Sequence, residues 1–276
     1  MLPIIYSGNK GIFDGVLISL LSIIENTSDN VNVYIFTMDL TEQNEKFQPI
    51  TPSQCSYLDS ICKEKNPNSF VRLVDVGEYY KETMLDSPNT KTSYTPYTFL
   101  RLYADRLDFL PDKVLYLDTD TVCAKDISIL LNTDISDYEF AGSLDHYGKH
   151  FIDPTYINAG VLLFNLKKIR ETGLFKKCLN MLKEKKVFLP DQTALNKMAE
   201  SKLIIDGVFN EQKHYNDENT VVQHFAKTIK WLPYFHTKNI KPWHTEKVKK
   251  ELTDKYNHIL DIYEQRKKDF KEKTNE

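Results

Sequence analysis

Short runs of apolar residues alternate with longer segments in which apolar residues recur every three to four positions. The runs predict buried strands, and the recurring positions predict amphipathic helices. Strands are predicted at residues 2–7, 31–37, 71–76, 114–117, 139–144 and 156–166. Helices are predicted from after residue 11 to about 26 and at 54–65, 95–107, 167–186 and 191–201. This alternation predicts an α/β sandwich with a mostly parallel sheet, to which the later strands add mixed pairing.

The pattern predicts one main domain followed by a helical extension. Neither an internal repeat nor a low-complexity linker interrupts residues 1–245, so we predict a single domain there. In residues 246–276, the positions of an apolar helical stripe are Leu252, Tyr256, Ile259, Leu260 and Tyr263. Acidic residues nearly balance the basic ones beside this stripe, which favours a helix packed on the body over a membrane-surface helix.

Composition and charge narrow the function classes. A chain of 276 residues with 41% hydrophobic residues can bury a large core, and a net charge of −3 argues against a general nucleic-acid binder. The longest apolar stretch, residues 15–24, is about half of what a bilayer crossing needs, and no secretory signal is recognisable. The four cysteines lack CxxC or zinc spacing, as in reduced cytosolic proteins, and the absence of GxGxxG argues against an NAD-type site.

The most informative segment is residues 113–122, where an apolar run ends in Asp118-Thr119-Asp120. Side chains alternate along a strand, so both carboxylates emerge on the same side as the strand ends. In open α/β sheets, ligands bind beyond the carboxyl ends of the strands. Two hard oxygen ligands in that position suit Mg²⁺ or Mn²⁺ carrying a phosphorylated ligand. The alternative is an ordinary strand-to-loop turn.

Two further positions could bind a nucleotide. Tyr6-Ser7-Gly8-Asn9 ends the first predicted strand and could form either a simple turn or a nucleoside pocket, with a ring to stack and polar edges to read the base. Arg101 lies in an otherwise apolar helical segment, where a guanidinium requires a partner. That partner could be an acid in a structural ion pair, or phosphate or sugar hydroxyls.

Small and polar residues also interrupt the later elements. Asn158-Ala159-Gly160 lies within a predicted strand, where small residues mark the close approach of a ligand or another backbone. Asp191 opens a predicted helix and could be its N-cap. Together with Asp145 and Gln192, these residues offer the hydrogen-bonding groups that a sugar requires.

A histidine near the end of the chain is a candidate third metal ligand. His236 precedes Lys241, whose charge could compensate a diphosphate. His224 and His244 compete with it for this role, and a lone histidine is more often a hydrogen-bonded structural residue.

Taken in order, these motifs resemble those of glycosyltransferase family 8, which includes glycogenin and bacterial lipopolysaccharide glucosyl- and galactosyltransferases. The resemblance spans residues 2–244. The matching motifs are Asp118-Thr119-Asp120 (DxD), Asn158-Ala159-Gly160-Val161 (NAGV), Asp191-Gln192 (DQ) and Lys241-Pro242-Trp243 (KPW), with Arg101 ahead of the first. One departure is that His236 lies one residue closer to Lys241 than in the family pattern, with no glycine between them.

The resemblance implies a GT-A fold, with a Rossmann-like nucleotide-binding half, and a retaining hexosyltransferase. The implied donor is UDP-glucose or UDP-galactose, the implied ion is Mn²⁺ with Mg²⁺ as the alternative, and the implied acceptor is a saccharide or glycolipid in lipopolysaccharide or cell-surface polysaccharide synthesis. Nucleic acid is not an expected partner. We expect a cytoplasmic protein, with peripheral contact at the inner membrane face as an open alternative, and the oligomeric state is left open.

The resemblance also implies roles for individual residues. The implied metal ligands are Asp118, Asp120 and His236. The residues implied to contact the donor nucleotide are Tyr6, Ser7, Asn9, Arg101, Asp118, Thr119 and Lys241. The residues implied at the donor sugar and the reaction centre are Asp145, Asn158, Asp191 and Gln192. Because Gln192 is an amide and a poor nucleophile, retention by same-face attack is favoured over a covalent sugar intermediate.

The sequence is also compatible with three different functions. The run Asp118-Thr119-Asp120-Thr121-Val122 fits haloacid dehalogenase-like phosphatases, with Asp118 as nucleophile and Asp120 as general acid. Against this, more than a hundred residues of α/β pattern precede the run, whereas that signature normally lies near the start of its fold. The second function is UDP-sugar binding without transferase activity, and the third is self-glucosylation.

Overall fold

Strands and helices alternate along most of the chain. The computed structural model describes residues 1–90, 95–230 and 236–274. In these residues the strands are β1 (Leu2–Ser7), β2 (Val31–Thr37), β3 (Phe70–Asp75), β4 (Lys113–Leu117), β5 (Thr121–Cys123), β6 (Phe140–Leu144), β7 (Ile157–Asn165), β8 (Lys202–Ile205), β9 (Val222–His224), β10 (Thr228–Lys230) and β11 (His236–Lys238). The α-helices are α1 (Phe13–Asn26), α2 (Pro52–Lys65), α3 (Gly77–Met84), α4 (Ser128–Leu131), α5 (Gly148–Phe151), α6 (Leu166–Thr172), α7 (Leu174–Glu184), α8 (Pro190–Met198), α9 (Thr245–Glu251) and α10 (Asn257–Thr274).

The central sheet has the strand order β3-β2-β1-β4-β7-β6-β8. β1, β2, β3 and β4 pair in parallel, while β7 runs antiparallel to both β4 and β6. β6 and β8 are again parallel, and β5–β9 and β10–β11 form separate antiparallel pairs. The predicted α/β sandwich with a mostly parallel, mixed sheet is therefore confirmed.

Two hydrophobic layers cover the two faces of the sheet. Along β1, Ile4 and Tyr6 belong to one layer and Ile5 to the other, as the alternation of strand side chains requires. The first layer contains the apolar faces of α1, α2 and α10, and the second contains a 3₁₀ segment over Pro96–Arg106 together with α7. Because helices cover both faces of the sheet, the ends of the strands are the part that a ligand can reach.

Two predicted helices differ in detail from the structure. The helix predicted at residues 167–186 is divided at Gly173, whose φ of 70° ends α6 and begins α7. Glycine adopts this left-handed conformation without steric cost. The helical segment predicted at 95–107 is a 3₁₀ helix over Pro96–Arg106. Edge strand β8 and the pairs β5–β9 and β10–β11 were not predicted, because these strands have three or four residues and little apolar alternation.

The C-terminal helix α10 packs against the first two helices. The Phe270 ring lies 4.4 Å from that of Phe13 and 5.1 Å from that of Tyr57, measured between centroids. Lys267 Nζ pairs with Asp14 Oδ2 at 2.8 Å. The division into a domain over 1–245 and an extension over 246–276 stays a prediction. Among the described helices, none combines the length and the apolar character that crossing a membrane requires.

Candidate active site

The two aspartates of the DxD motif lie at the carboxyl end of β4. The Asp118 N–H donates to the Gly160 carbonyl at 2.7 Å, which continues the β4–β7 pairing by one residue. Thr121 Oγ1 donates to the Asp118 carbonyl at 2.8 Å and closes the turn. Helix α1 approaches this turn at Gly15, where a Cβ would stand 2.5 Å from the Thr119 carbonyl oxygen. A glycine is therefore required there for the turn and α1 to meet.

The histidine beside the aspartates is His224, which corrects the prediction of His236. Strand β9 pairs antiparallel with β5, with His224 opposite Thr121, so its ring is placed next to Asp120. His224 Nε2 lies 3.2 Å from Asp120 Oδ1 and 3.9 Å from Asp118 Oδ2. His236 instead begins β11 and pairs with Lys230 of β10, in an antiparallel strand pair that lies between His224 and Lys241 in the sequence. The spacing from Lys241 alone had selected His236 instead of His224.

Lys241 also lies at Asp120. Its Nζ pairs with Asp120 Oδ2 and donates to the Phe225 carbonyl at 2.9 Å. Two residues further on, the Trp243 ring packs on α1, 3.0 Å from where a Cβ on Gly15 would stand. The Trp243 contact anchors the lysine from the side of α1.

Arg101 joins the first aspartate to Asp191. Its side chain is 4% exposed, and Nη2 lies 2.9 Å from Asp118 Oδ1 and 3.4 Å from Asp191 Oδ2. Nη1 donates to the Ala159 carbonyl at 2.6 Å, and the guanidinium stacks on the Tyr116 ring at 3.8 Å from its centroid. Nε donates to the Thr98 carbonyl at 3.1 Å, so each of the three guanidinium nitrogens has a partner, which makes burial of this cation tolerable.

Asp145, Asn158 and Gln192 form a second buried polar group beside the first. Asn158 Nδ2 donates to Asp145 Oδ2 at 2.7 Å, and Gln192 Nε2 donates to the same oxygen at 3.2 Å. Gln192 Oε1 accepts from the Ala159 N–H at 2.9 Å. Ala159 therefore ties this group to Arg101, whose guanidinium binds the carbonyl of the same residue.

The predicted nucleoside residues are placed differently from one another. Tyr6 is fully buried between the sheet and α1, with its hydroxyl 2.8 Å from Ser19 Oγ, so its ring is not available to stack on a base. Ser7, on the opposite side of β1, hydrogen-bonds the Tyr116 hydroxyl at 3.0 Å, and that hydroxyl donates to Asp118 Oδ1 at 3.0 Å. Asn9 accepts from the Gly11 N–H at 3.1 Å and caps a short 3₁₀ turn.

Sequence reasoning missed Asn210 and Tyr116 and ranked His224 below His236. His224 follows Val221-Val222-Gln223, a stretch too short and too mixed in polarity to predict a strand. Asn210 carried no local signal, because its partners lie on β7 and β9. The structure does bring four of the predicted residues together at the carboxyl end of β4: Arg101, Asp118, Asp120 and Lys241.

Electrostatics reflect the close packing of these charges. Burial alone would raise the pKa of Asp120, but the neighbouring His224 and Lys241 charges hold that pKa below its ordinary value. Burial lowers the pKa of His224, whereas the nearby carboxylates of Asp120 and Asp118 raise it. The net result is a pKa above the ordinary value. Burial raises the pKa of Asp191 despite the opposing charge of Arg101.

The Asp118, Asp120 and His224 ligand atoms fit a divalent cation. One atom from each residue lies within 4.8 Å of the other two. Atoms this close together could all be ligands of one ion bound between them. Carboxylate and imidazole groups are both common ligands of divalent cations in proteins.

A family profile described as Glycosyl transferase family 8 matches residues 3–247. The chain belongs to that family. This confirms the family resemblance predicted from the motifs.

Relatives and solved structures agree with this membership. A Haemophilus influenzae relative is 25% identical over 224 residues, which are 75% of this chain and 62% of that protein. The lipopolysaccharide 1,3-galactosyltransferase of Salmonella typhimurium is 26% identical over 264 residues, covering 88% of this chain and 73% of that protein. The crystal structure of the galactosyltransferase LgtC in complex with donor and acceptor sugar analogs has a TM-score of 0.68 at 19% identity, covering 95% and 96% of the two chains. The predicted GT-A fold is thereby confirmed.

The functions that compete with sugar transfer find no support. The family match excludes the haloacid dehalogenase-like interpretation of the DxD segment, in which Asp118 would be a free nucleophile. In the structure, Asp118 Oδ1 instead accepts from both Arg101 and Tyr116. The argument for a binding protein without activity was the altered spacing of His236, and the structure places another histidine, His224, with the two aspartates.

Proposed function

We propose that the protein is a retaining hexosyltransferase that moves glucose or galactose from a UDP-sugar to a saccharide or glycolipid acceptor. The observation that carries this proposal is the grouping of Asp118, Asp120 and His224 as ligands for a divalent cation, with Lys241 beside them. A diphosphate leaving group requires positive charge around it, which a bound metal ion and the side chain of Lys241 would together provide.

The names of relatives support the substrate class. Salmonella typhimurium and Escherichia coli relatives are named as a lipopolysaccharide 1,3-galactosyltransferase and a lipopolysaccharide glucosyltransferase. Both are 26% identical to this chain and match 88% of it. We extend from them the transfer of a hexose to a lipopolysaccharide or related cell-surface glycan, in the cytoplasm or at the inner face of the membrane.

Asp118, Asp120 and His224 would hold the cation, which we propose to be Mn²⁺ with Mg²⁺ as the alternative. When bound, the ion supplies Lewis-acid stabilisation of the charge that develops on the leaving phosphate. Lys241, whose side chain is 18% exposed, is close enough to Asp120 to exchange that carboxylate for a phosphate oxygen. A lysine acts on phosphate as a mobile point charge, which suits a group that changes partners.

The nucleoside would lie near Ser7 and Asn9, at the end of β1. Asn9 Nδ2 donates to the Lys46 carbonyl at 3.2 Å, which connects the 3₁₀ turn to the following loop. A surface cavity of about 410 Å³ adjoins Asn9 and is lined by Lys10, Gly11, Glu45, Lys46 and Gln48. Thr119, between the two aspartates, would contact the diphosphate or ribose. Tyr6 is withdrawn from this role because its ring is buried in the core.

Asp145, Asn158, Asp191 and Gln192 would orient the donor sugar. All four side chains are buried. A hydroxyl of the donor sugar would replace an existing hydrogen bond of one of these side chains with a new one, at little cost in free energy. Arg101 would act by holding Asp118 and Asp191 in place rather than by touching the sugar, because its side chain is 4% exposed and each guanidinium nitrogen already has a partner.

Retention by same-face attack is the mechanism that we favour. Gln192 is an amide with both ends hydrogen-bonded, and the Asp191 carboxylate is paired with buried Arg101. Neither group resembles the free carboxylate that retaining glycosidases place beneath the anomeric carbon. Incubation with donor followed by intact-mass measurement tests this: a sugar covalently attached to Asp191 during turnover would overturn it.

The proposal as a whole is tested by donor binding and turnover. UDP, UDP-glucose, UDP-galactose and GDP-mannose are compared by thermal shift with and without Mn²⁺, and UDP release is then followed with the stabilising sugar nucleotide. We expect Mn²⁺-dependent stabilisation by UDP compounds and slow UDP release even into water. Equal response to GDP-mannose, or no response to any UDP compound, would contradict it.

A further inference from the structure

The position of His224 depends on a chain of amide side chains that leads away from the metal ligands. His224 Nδ1, on the far side of the ring from the aspartates, lies 3.1 Å from Asn210 Oδ1. Asn210 Nδ2 donates to Asn158 Oδ1 at 3.0 Å, and Asn158 Nδ2 donates to Asp145 Oδ2 at 2.7 Å. Asn210 is 1% exposed and lies just ahead of the segment that leads to β9.

The orientation of each amide in this hydrogen-bonded series is determined by neighbouring groups that can only donate or only accept a hydrogen bond. The Gly160 N–H, an obligate donor, lies 2.9 Å from Asn158 Oδ1, so that atom must be the oxygen. At the other end of the same amide, Nδ2 meets Asp145, whose other oxygen accepts from the Tyr147 and Gly148 N–H groups at 3.0 and 2.6 Å. The contacts at both ends of the Asn158 side-chain amide therefore indicate the same orientation.

This orientation passes to His224. Since Asn158 presents its oxygen, Asn210 must present its Nδ2 to it and its own Oδ1 to the imidazole. A carbonyl oxygen only accepts, so His224 Nδ1 must carry a hydrogen. The nitrogen left to bind an ion is Nε2, which already faces Asp118 and Asp120.

We propose that Asn210 is a positioning residue for the cation site, acting with Asn158 to hold the proton of His224 on Nδ1 and to aim Nε2 at the aspartates. The inference rests on the proposed metal site and deepens it. It also gives Asn158 a second role beside the donor sugar, because the same side chain joins Asp145 to the imidazole. In metal sites, outer groups of this kind orient the ligand ring and raise its basicity.

The first test compares Mn²⁺ affinity in three proteins. Asn210→Ala removes the acceptor, and we expect Mn²⁺ binding, measured by titration calorimetry without nucleotide, to weaken about 10- to 100-fold. The matched control is Asn165→Ala at the opposite end of β7, whose amide bonds the Ile135 carbonyl and the Lys168 N–H. This control should lose some stability and keep wild-type affinity.

The second measurement needs no variant and does not depend on whether Asn210→Ala folds. Nitrogen-15 spectra of histidine-labelled wild-type protein report which ring nitrogen of His224 carries hydrogen, with Zn²⁺ as a diamagnetic ion and His224→Gln to assign the signal. We expect a hydrogen-bonded Nδ1–H and a metal-bound Nε2. A bare Nδ1 would overturn the proposal.

The outcomes separate this inference from the proposed function. If the wild-type protein binds Mn²⁺ and Asn210→Ala binds it equally well, the positioning role is overturned and the metal site stands. If the wild-type protein binds neither Mn²⁺ nor Zn²⁺, the proposed metal site is overturned and the positioning role with it. Weakened binding in Asn210→Ala alone, with Nδ1–H in the wild type, supports both.

Discussion

The imidazole of His224 lies directly against the backbone of Gly160. A Cβ at position 160 would stand 2.2 Å from His224 Cε1 and 2.5 Å from Nδ1, far inside van der Waals contact. The glycine of the NAGV segment is thus required by the histidine of a different strand, and not by backbone strain. In the sequence, a small residue there indicated a close approach without naming the group that approaches.

Gly160→Ala is therefore expected to displace the His224 ring and to weaken Mn²⁺ binding at least about 10-fold, by analogy with the loss of groups that orient metal ligands. Calorimetric titration measures the effect. Gly207→Ala is the control, since among the described residues no atom lies within 4 Å of a Cβ at that position. Wild-type affinity in Gly160→Ala would mean that the ring is not part of the cation site.

Asp120→Asn should remove a ligand and leave Lys241 without its carboxylate partner. We expect Mn²⁺ affinity to fall by at least about 100-fold, more than the loss of an outer group costs, together with loss of Mn²⁺-dependent UDP binding. Asp134→Asn, at an exposed turn where the carboxylate caps the Ser136 N–H, is the matched control. Circular dichroism of both variants checks the fold. Unchanged UDP affinity in Asp120→Asn would remove Asp120 from the site.

The stability of the metal-free protein should depend on His224 at neutral pH. The facing carboxylates Asp118 and Asp120 raise the pKa of His224 above its ordinary value of 6.5, although burial and Lys241 oppose the charge. A raised pKa in the folded state means stability that is complete below about pH 6.5 and is lost as the pH rises through the folded pKa. Urea unfolding from pH 6 to pH 9, in chelator, measures it. His224→Gln should flatten this dependence, and an equal slope in both proteins would contradict the assignment.

Phe270→Ala tests whether α10 is integral to the body. The ring packs on Phe13 and Tyr57 and is 4% exposed, so its removal should lower the free energy of unfolding by about 3 to 5 kcal/mol. Phe151→Ala is the control, because that ring is 75% exposed and its loss should change stability by less than about 0.5 kcal/mol. Equal stability of the two variants would show that α10 is detachable.

Local patterns in the sequence predicted the strand that carries the aspartates and the alternation that builds the sheet. The apolar run before Asp118 is sufficient for this, because burial and side-chain alternation act over neighbouring residues. The face of β1 was not predictable in the same way. Tyr6 could have pointed to either layer, and its burial against Ser19 follows from where α1 packs.

The choice of histidine depended on pairing between distant strands. His224 reaches Asp120 because β9 pairs with β5, and neither three-residue strand has a pattern of its own. A fixed spacing from Lys241 therefore selected His236, which lies in β11 and pairs with β10. Asn210 was out of reach for the same reason, since its role follows from contacts with Asn158 and His224.

The β10–β11 pair lies between His224 and Lys241 in the sequence, and the two ends of this part of the chain lie close together. Lys241 Nζ donates to the Phe225 carbonyl, so the ends of the segment 226–239 meet, and each end has its own anchor: β9 pairing for His224 and the Trp243–Gly15 contact for Lys241. This segment is a natural place for engineering. A chain of different length could be grafted there, carrying a reporter or a different recognition surface, while both site residues keep their anchors.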